Sequence, residues 1–424
     1  MNDKQVTPSV ASALQSSEIA TGPPAQRGAA PLVERGSAGN AMAELKRQRV
    51  VVLVDTSTGW GRGLVRGVTR HARLHGWHLW VEPHGQSEAL RPPRNWTGEG
   101  IIARVSSGAM AAQLRRLRVP IVNVSGIEFE GTAIPRVTID HRATGAMAAE
   151  YFVGRGFRHF AYCGWVRSAH VNRQFEAYAA GTKGRPCELF PLGSRNSSSH
   201  GWKQQQSQLS KWLTQLPKPV AVLTWAQQGL AVLNACAWAR LKVPEEVAVL
   251  SGDDDDLLYE ITTPPLSGIH IPLEQLGIEA AATLGRLMDG AKAPQQPVLI
   301  KPTHVITRQS SDVLGVEDPD LEAAVRYISQ HAPEPIQVDD VARDVGIARR
   351  SLERKFHDGL GRSPAAEIRR VRLARATQLL AETSMPIPKV AQASGFGSPM
   401  YLAYVIREAT GLTPLKYRNQ MRAV

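Results

Sequence analysis

From Arg49 onward, short and nearly continuous apolar runs alternate with stretches whose apolar residues recur at helical spacing. RVVVLVD is followed by TSTGWGRG and then by the helical stretch LVRGVTRHARLHG. WHLWVE, GIIARV, PIVNVS, RVTID, HFAYCG, VAVLTW and VAVLSGD follow as further strands, with helical stretches such as RATGAMAAEYFVGRG and QQGLAVLNACAWARLK between them. A strand covered on both faces is apolar at successive positions, and strands joined by helices pair in parallel. The pattern predicts a parallel α/β region over residues 47–311. It is large enough for two lobes with a ligand cleft beyond the carboxyl ends of the strands. At about Asp312 the strand pattern ends. Residues 312–330 read as a linker and connecting helix, and 331–424 as an all-helical domain. Residues 1–46, rich in Ala, Ser, Gly, Gln and Pro without a sustained period, read as a disordered tail.

The helical domain carries a degenerate internal repeat. One copy, VARDVGIARRSLERKFHDGLGRSP, starts at Val341; the other, VAQASGFGSPMYLAYVIREATGLTP, starts at Val390. In each, a small apolar pair is followed after three residues by Gly346-Ile347 or Gly395-Phe396, and each closes with Gly-x-Ser/Thr-Pro. Val338, Val341, Ala342 and Val345 share a helix face, and Gly346 can take the left-handed conformation that ends that helix. Leu352 and Phe356 face inward on the next helix, leaving Arg350, Glu353 and Arg354 outside. A short helix, a glycine turn and a second helix with a basic outer face form the unit that enters a major groove. Two such units are expected, at about 338–358 and 387–409. The helix between them offers Ile368, Val371, Ala376, Leu379 and Leu380 to a shared core.

Charge supports this reading because it is local. The chain has 50 Lys and Arg against 38 Asp and Glu, a net charge of +12. Between Arg349 and Arg375 nine basic residues face only three acids. A nucleic-acid footprint is concentrated in this way.

The C-terminal segment resembles the DNA-binding domain of the AraC/XylS family, most closely in GFGSPMYLAYVIREATGLTPLKYR. The middle segment resembles the type I periplasmic-binding-protein fold of LacI-family sensors, and the order of the two parts resembles that of xylose-operon regulators. The resemblance covers about residues 47–420. It implies a sequence-specific regulator controlled by a small ligand, a monosaccharide such as xylose or a related carbohydrate. It also implies double-stranded promoter DNA as partner, a homodimer, RNA polymerase if the protein activates, no cofactor and no membrane. By the same resemblance the first unit would read bases through Arg350, Glu353 and Arg354, and the second through Pro399, Met400, Ala403 and Tyr404. Tyr404 stands where the family usually has arginine, so the second unit is expected to position more than it reads. Ala348 replaces the usual serine cap of the first recognition helix. Arg349, Lys355, Arg370 and Arg372 are the expected phosphate contacts.

A sugar site needs planar side chains for the apolar ring face and polar groups for hydroxyls. Trp60 and Trp165 follow separate strands, and each could equally pack in a core. Arg173 matches the arginine that LacI-like sensors place on ligand hydroxyls; Asn172 precedes it, and Arg62, two residues past Trp60, is a further ligand candidate from the pocket or its rim. Trp225 stands where such sensors commonly have an aspartate. In SGDDDD, Asp253 falls on the ligand-contacting aspartate of the resemblance. Asp254 to Asp256 are expected to cap the next helix and face solvent, with Asp255 or Asp256 as N-cap.

Other classes fit less well. No apolar run approaches the ~20 residues that span a bilayer. Cys163, Cys187 and Cys236 match neither a disulfide framework nor a metal site, as expected of a cytoplasmic protein. An α/β enzyme would need a phosphate loop, a metal cluster or a nucleophile–base pair, and no such motif stands out. A sensor with a helical dimerisation tail is the remaining alternative.

Overall fold

The structure, a computed structural model, describes residues 48–422 apart from 84, 86–89, 95, 130–133, 166–167, 192–198 and 317. The expected tail, residues 1–46, lies outside the described residues. The chain begins with β1 (Arg49–Leu53), α1 (Gly59–His75), β2 (His78–Val81), β3 (Gly100–Ala103), α2 (Gly108–Arg115), β4 (Ile121–Asn123) and β5 (Val137–Ile139). It continues with α3 (His141–Val153), β6 (His159–Gly164), α4 (Ala169–Gly181), β7 (Cys187–Pro191), α5 (Ser199–Gln215), β8 (Val220–Thr224), α6 (Gln228–Ala239), β9 (Val247–Ser251) and α7 (Asp256–Glu260). Then come β10 (Ser267–His270), α8 (Leu273–Met288), β11 (Val298–Ile300) and β12 (His304–Ile306). Seven helices end it: α9 (Pro319–His331), α10 (Val338–Val345), α11 (Arg349–Leu360), α12 (Pro364–Glu382), α13 (Ile387–Ala393), α14 (Pro399–Thr410) and α15 (Pro414–Arg422).

Among the described residues the α/β region has two main sheets and a separate two-stranded pair. The first is parallel, in the order β2-β1-β3-β4. The second runs β12-β10-β9-β8-β6-β7 and is parallel except for β12, which pairs antiparallel with β10. Strands β1, β8 and β9 are buried on both faces because each sheet is covered on both sides. This explains their uninterrupted apolar sequence. Helix α8 returns to the first lobe and crosses α1 backbone to backbone: a Cβ on Gly67 would lie 1.9 Å from the Glu274 carbonyl oxygen. The short parallel pair β5–β11 lies where the chain passes between lobes.

The helical domain has two cores. Leu321, Ala324 and Ile328 of α9 share the first with Val341, Leu352, Phe356 and Ile368. Helix α9 therefore packs as part of the helical domain's first core. Ala376 and Leu380 of α12 pack in the second core with Val390, Phe396, Leu402 and Ile406. One helix thus serves both units, as its sequence predicts.

The helical domain contacts the second lobe at the turn after α3. Arg362 donates to the Gly154 carbonyl, the Gly315 N–H donates to the Arg155 carbonyl at 2.8 Å, and Gly156 lies against Gly359 and Leu360. Beneath this contact Glu367 is fully buried, with Arg362 and Arg370 both donating to its carboxylate.

Candidate effector cleft and DNA interface

The carboxyl ends of β1, β3, β6, β8 and β9 supply the cleft residues. Trp60, in the first turn of α1, is half-buried on the first-lobe core with the Arg104 guanidinium 5.5 Å from its ring centre. Asp55, just past β1, is 3% exposed. Its Oδ1 accepts from the Ser57 N–H and hydroxyl, while Oδ2 is buried with no partner among the described residues. Trp225 follows β8 and is held beside Ala226, whose φ of 45° is unusual for a residue with a side chain.

Around Trp225 lie two histidines that no motif marks. His141, the first residue of α3, is 5.0 Å from the Trp225 ring centre, and His170, in the first turn of α4, is 5.2 Å from it. Burial pulls the His141 imidazole down to about 3, helped by His170 and Arg173. Burial also pulls His170 down to about 4, helped by Arg104, Arg173 and Arg136 against the opposing pull of Glu128. Both rings are therefore neutral acceptor–donor groups at physiological pH.

The structure brings Trp60, Arg173 and Trp225 into this neighbourhood through Arg104, His170 and Glu128. Arg173 is ion-paired with Glu128, which also accepts from Arg136 at 2.9 Å. Asn172 is turned aside, donating to Glu176 one helical turn on at 2.7 Å. Arg62 is exposed and folds back on its own loop, donating to the Ser57 carbonyl at 2.7 Å. Trp165 packs against the other core of the second lobe.

The four aspartates have separate tasks. Asp253 accepts from the Tyr259 hydroxyl and lies 2.8 Å from the Ser251 hydroxyl. Asp254 does not face solvent as expected; it pairs with Arg308 at 2.8 Å, both side chains being largely buried. Asp255 caps α7 through the Leu258 N–H and also accepts from the Gly59 N–H of α1 at 3.2 Å, so it reaches across to the other lobe. Asp256 opens α7.

Burial raises Asp253 to about 6, with Asp254 and Asp255 adding to the rise and the Tyr259 and Ser251 bonds opposing it. A carboxyl raised by folding contributes stability that is present below its unfolded value near 4 and lost as pH rises through about 6. Asp253→Asn removes that titration. Its stability relative to the native chain is expected to improve by about 2 kcal/mol between about pH 4 and about pH 7, after discounting for partial exposure. Urea unfolding at the two pH values checks this, and a difference that does not change with pH would remove Asp253 as the source.

In the helical domain, α10–α11 and α13–α14 form the two helix-turn-helix units, with Gly346 (φ 78°) and Gly395 (φ 80°) in the left-handed conformation at the turns. Helix α11 begins at Ala348 with no side-chain cap, as its sequence implies, whereas Ser398 caps α14. Arg350 and Arg354 are exposed one turn apart and make no hydrogen bond or ion pair among the described residues. Glu353 accepts from Arg349, which also pairs with Asp339. On α14, Met400 is 81% and Tyr404 62% exposed, with Pro399 exposed and Ala403 half-buried beside them. Tyr401, absent from the sequence-based set, stacks on Tyr404 with ring centres 6.5 Å apart.

The residues expected at phosphates all have partners within the chain, Arg349 as just described. Lys355 is bound by Asp318 and Asp320, and Arg370 by Glu367. Arg372 donates to the carbonyls of Ala332 at 2.8 Å and Glu334 at 2.7 Å, ahead of α10. Arg375, one turn on, donates to the Ala393 carbonyl at the end of α13 at 2.8 Å. These guanidiniums satisfy carbonyls that helix ends leave open, and so fix the two units to α12.

Comparison with known proteins agrees with both halves. Residues 149–311 match the periplasmic binding protein-like domain, and residues 341–420 match the helix-turn-helix domain. The Xylose operon regulatory protein of Escherichia coli (strain K12) is 28% identical over 386 residues, covering 88% of this chain and 97% of that protein. Its namesake from Haemophilus influenzae is 25% identical over 381 residues, covering 87% of this chain and 98% of that one. A solved structure described as the xylose-binding transcription activator xylR is 26% identical, covers 88% of this chain and 98% of its own, and superposes with a TM-score of 0.57.

Proposed function

We propose that the chain, similar over most of its length to the xylose operon regulatory proteins and carrying a periplasmic binding protein-like domain ahead of a helix-turn-helix domain, reads promoter DNA under the control of a monosaccharide-type effector held in the sensor cleft. The chain is a regulator and not an enzyme. The observation that carries the DNA reading is the pair Arg350 and Arg354, exposed on a recognition helix and committed to no other group among the described residues. Each guanidinium can take the O6 and N7 of a guanine, and Glu353, once Arg349 turns to a phosphate, can accept from a cytosine amine. Pro399, Met400, Ala403 and Tyr404 offer α14 apolar contact with thymine methyls. A homodimer would present two such double units to paired half-sites. For an activator, RNA polymerase would be the further partner.

In the sensor, Trp60 and Trp225 would stack on the effector, with Arg173 and the buried Asp55 oxygen taking its polar groups. Asp253 would act from behind through Tyr259 and Ser251. The similarity to xylose operon regulatory proteins and to a xylose-binding transcription activator supports a sugar as effector.

The test is binding of the purified protein to its own promoter fragment, with and without pentoses, hexoses and sugar acids. Arg350→Ala and Arg354→Ala are each expected to weaken the specific complex by about 10-fold or more, at about 1–3 kcal/mol per bidentate pair. Neither should alter the thermal melting of the sensor. Absence of sequence-specific binding by the native protein would sink this function.

A further inference from the structure

Helix α3 runs from the cleft to the helical domain. Its first residue, His141, lies 5.0 Å from the Trp225 ring centre, and its 13 residues carry the chain about 20 Å further. Beyond its other end the Gly154 carbonyl accepts from Arg362, and the Arg155 carbonyl accepts from the Gly315 N–H. A Cβ on Gly156 would lie 3.2 Å from the Gly359 carbonyl oxygen and 3.2 Å from the Leu360 side chain. Gly359 and Leu360 are the last residues of α11, the helix that carries Arg350 and Arg354 outward. One turn of backbone therefore separates the helix that begins in the cleft from the proposed recognition helix.

A helix passes a displacement along its length only if it is held firmly. Helix α4 also begins at the cleft, with His170 and Arg173, and it meets α3 at backbone distance. A Cβ on Gly145 would lie 2.2 Å from the Gln174 carbonyl oxygen, and one on Gly181 would lie 2.4 Å from the Ala149 Cβ. Ala148, Ala149 and Phe152 of α3 are fully buried. Close-packed elements have discrete arrangements rather than a continuum of them, so this pair shifts as one body.

Arg155 stands where the pair meets the helical domain. Its guanidinium lies 3.6 Å from the ring centre of Tyr151, one turn back, and donates to the Thr307 hydroxyl at 3.5 Å. The Tyr151 hydroxyl is in turn fixed 2.8 Å from that of Ser311. Burial pulls the Arg155 guanidinium below its ordinary value, with Arg370 adding to the fall and Tyr151, Asp312 and Glu367 opposing it. The same cation thus feels the sensor's own ring and the Glu367 cluster of α12. Exchanging a buried charge for an apolar group of similar volume is often neutral for stability, so folding alone does not account for this cation.

We infer that Arg155 is the positioning residue that couples the cleft to the DNA-reading units, by setting how the end of α3 bears on α11 and α12. A shift of the α3–α4 pair then changes the pose of Arg350 and Arg354. This inference rests on the cleft being the effector site. Such coupling is reciprocal: what an effector does to promoter affinity, promoter DNA does to the cleft.

The experiment reads both directions in the full chain. Amide hydrogen exchange of the native protein should change at residues 141–146 when the promoter fragment binds. D-xylose, L-arabinose, D-glucose and D-glucuronate serve as effector probes, and the strongest of them should shift promoter affinity by about 5-fold or more. Arg155→Met keeps the side-chain length and a contact with the Tyr151 ring. It should bind that probe and the promoter, each measured alone, within about 3-fold of the native chain. The shift should nevertheless fall below about 2-fold, and DNA should no longer alter exchange at residues 141–146. Arg155→Lys should recover most of the shift. Tyr151→Phe gives up the bond to Ser311 and keeps the ring, so it should melt earlier yet stay coupled. A native-sized shift in Arg155→Met would overturn the inference, as would an equal loss in Tyr151→Phe. Exchange at residues 141–146 that promoter DNA leaves unchanged in the native chain would overturn it too, with the proposed function still standing. Specific promoter binding that no probe shifts would defeat effector control itself, and the inference would fall with it.

Discussion

Replacing Glu367 by alanine is expected to remove about 3–4 kcal/mol of stability, a large fraction of what a domain has. The side chain is 0% exposed and receives Arg362 and Arg370. Taking it away leaves two guanidiniums beside a surface that was closed by their shared counter-ion. Breaking such a buried pair costs about 3–5 kcal/mol, and the lower part of that range applies because the Arg370 side chain is 41% exposed. Burial alone would push the Glu367 carboxyl up, but Arg370 and Arg362 hold it below its ordinary value. A depressed carboxyl contributes stability above its unfolded value, and that contribution is lost as pH falls through the folded one. The gap between the native chain and Glu367→Ala should therefore be full at about pH 7 and shrink below about pH 4. Denaturant titrations at both values measure it, and a loss under about 1 kcal/mol at neutral pH would show that the cluster is not the support described. Arg362 also holds the Gly154 carbonyl, so the variant should loosen the attachment of the helical domain to the sensor.

Gly67→Val is expected to cost about 3 kcal/mol or more, located in the first lobe. Position 67 lies inside α1, where glycine is a poor helix former and alanine would by itself gain about 1 kcal/mol. The close contact with α8 outweighs that preference. A Cβ would sit 1.9 Å from the Glu274 carbonyl oxygen and 2.9 Å from the Ile278 nitrogen, and both are backbone atoms that cannot swing away. Gly277 makes the reciprocal approach: a Cβ there would lie 2.1 Å from the Leu64 carbonyl oxygen. Valine adds two further carbons and keeps only part of alanine's helix gain, so the helices must part or the first lobe must melt early. Calorimetric melting should show a lowered sensor transition, and an unchanged one would mean that the two helices are not held at this distance.

Much of the architecture was legible because its signals are local. Continuous apolar runs mark the buried strands, and the paired apolar residues and glycines of the repeat mark both helix-turn-helix units within a residue or two. Strands β7, β10, β11 and β12 were not read, since they are short, mixed in polarity and lie toward sheet edges or lobe crossings. The role of α9 was hidden for a different reason: an amphipathic helix does not say which neighbour covers its apolar face. Site chemistry was less legible still. His141 and His170 belong to no motif and meet only because α3 and α4 begin at the same end of the second sheet. Charge was the weakest guide to role, because a guanidinium in the sequence carries no mark of its partner. Arg350 and Arg372 look alike on paper, yet one faces outward and the other is bound to carbonyls ahead of α10. Asp254 likewise finds Arg308, a residue 54 positions further along the chain.

The two guanidiniums that tie α12 to the approach to α10 and to the end of α13 have a consequence for the operator. A pair of readers on a slack tether would have to be oriented anew at each binding event, and that ordering would weaken the complex. Here Arg372 and Arg375 hold the mutual pose of both units in the free protein. The separation and angular phase of the two subsites are therefore dictated by the protein, and DNA must match them or bend to do so. Each base pair inserted between them turns one subsite by about 35° away from its reader, so spacing is itself part of the recognised sequence.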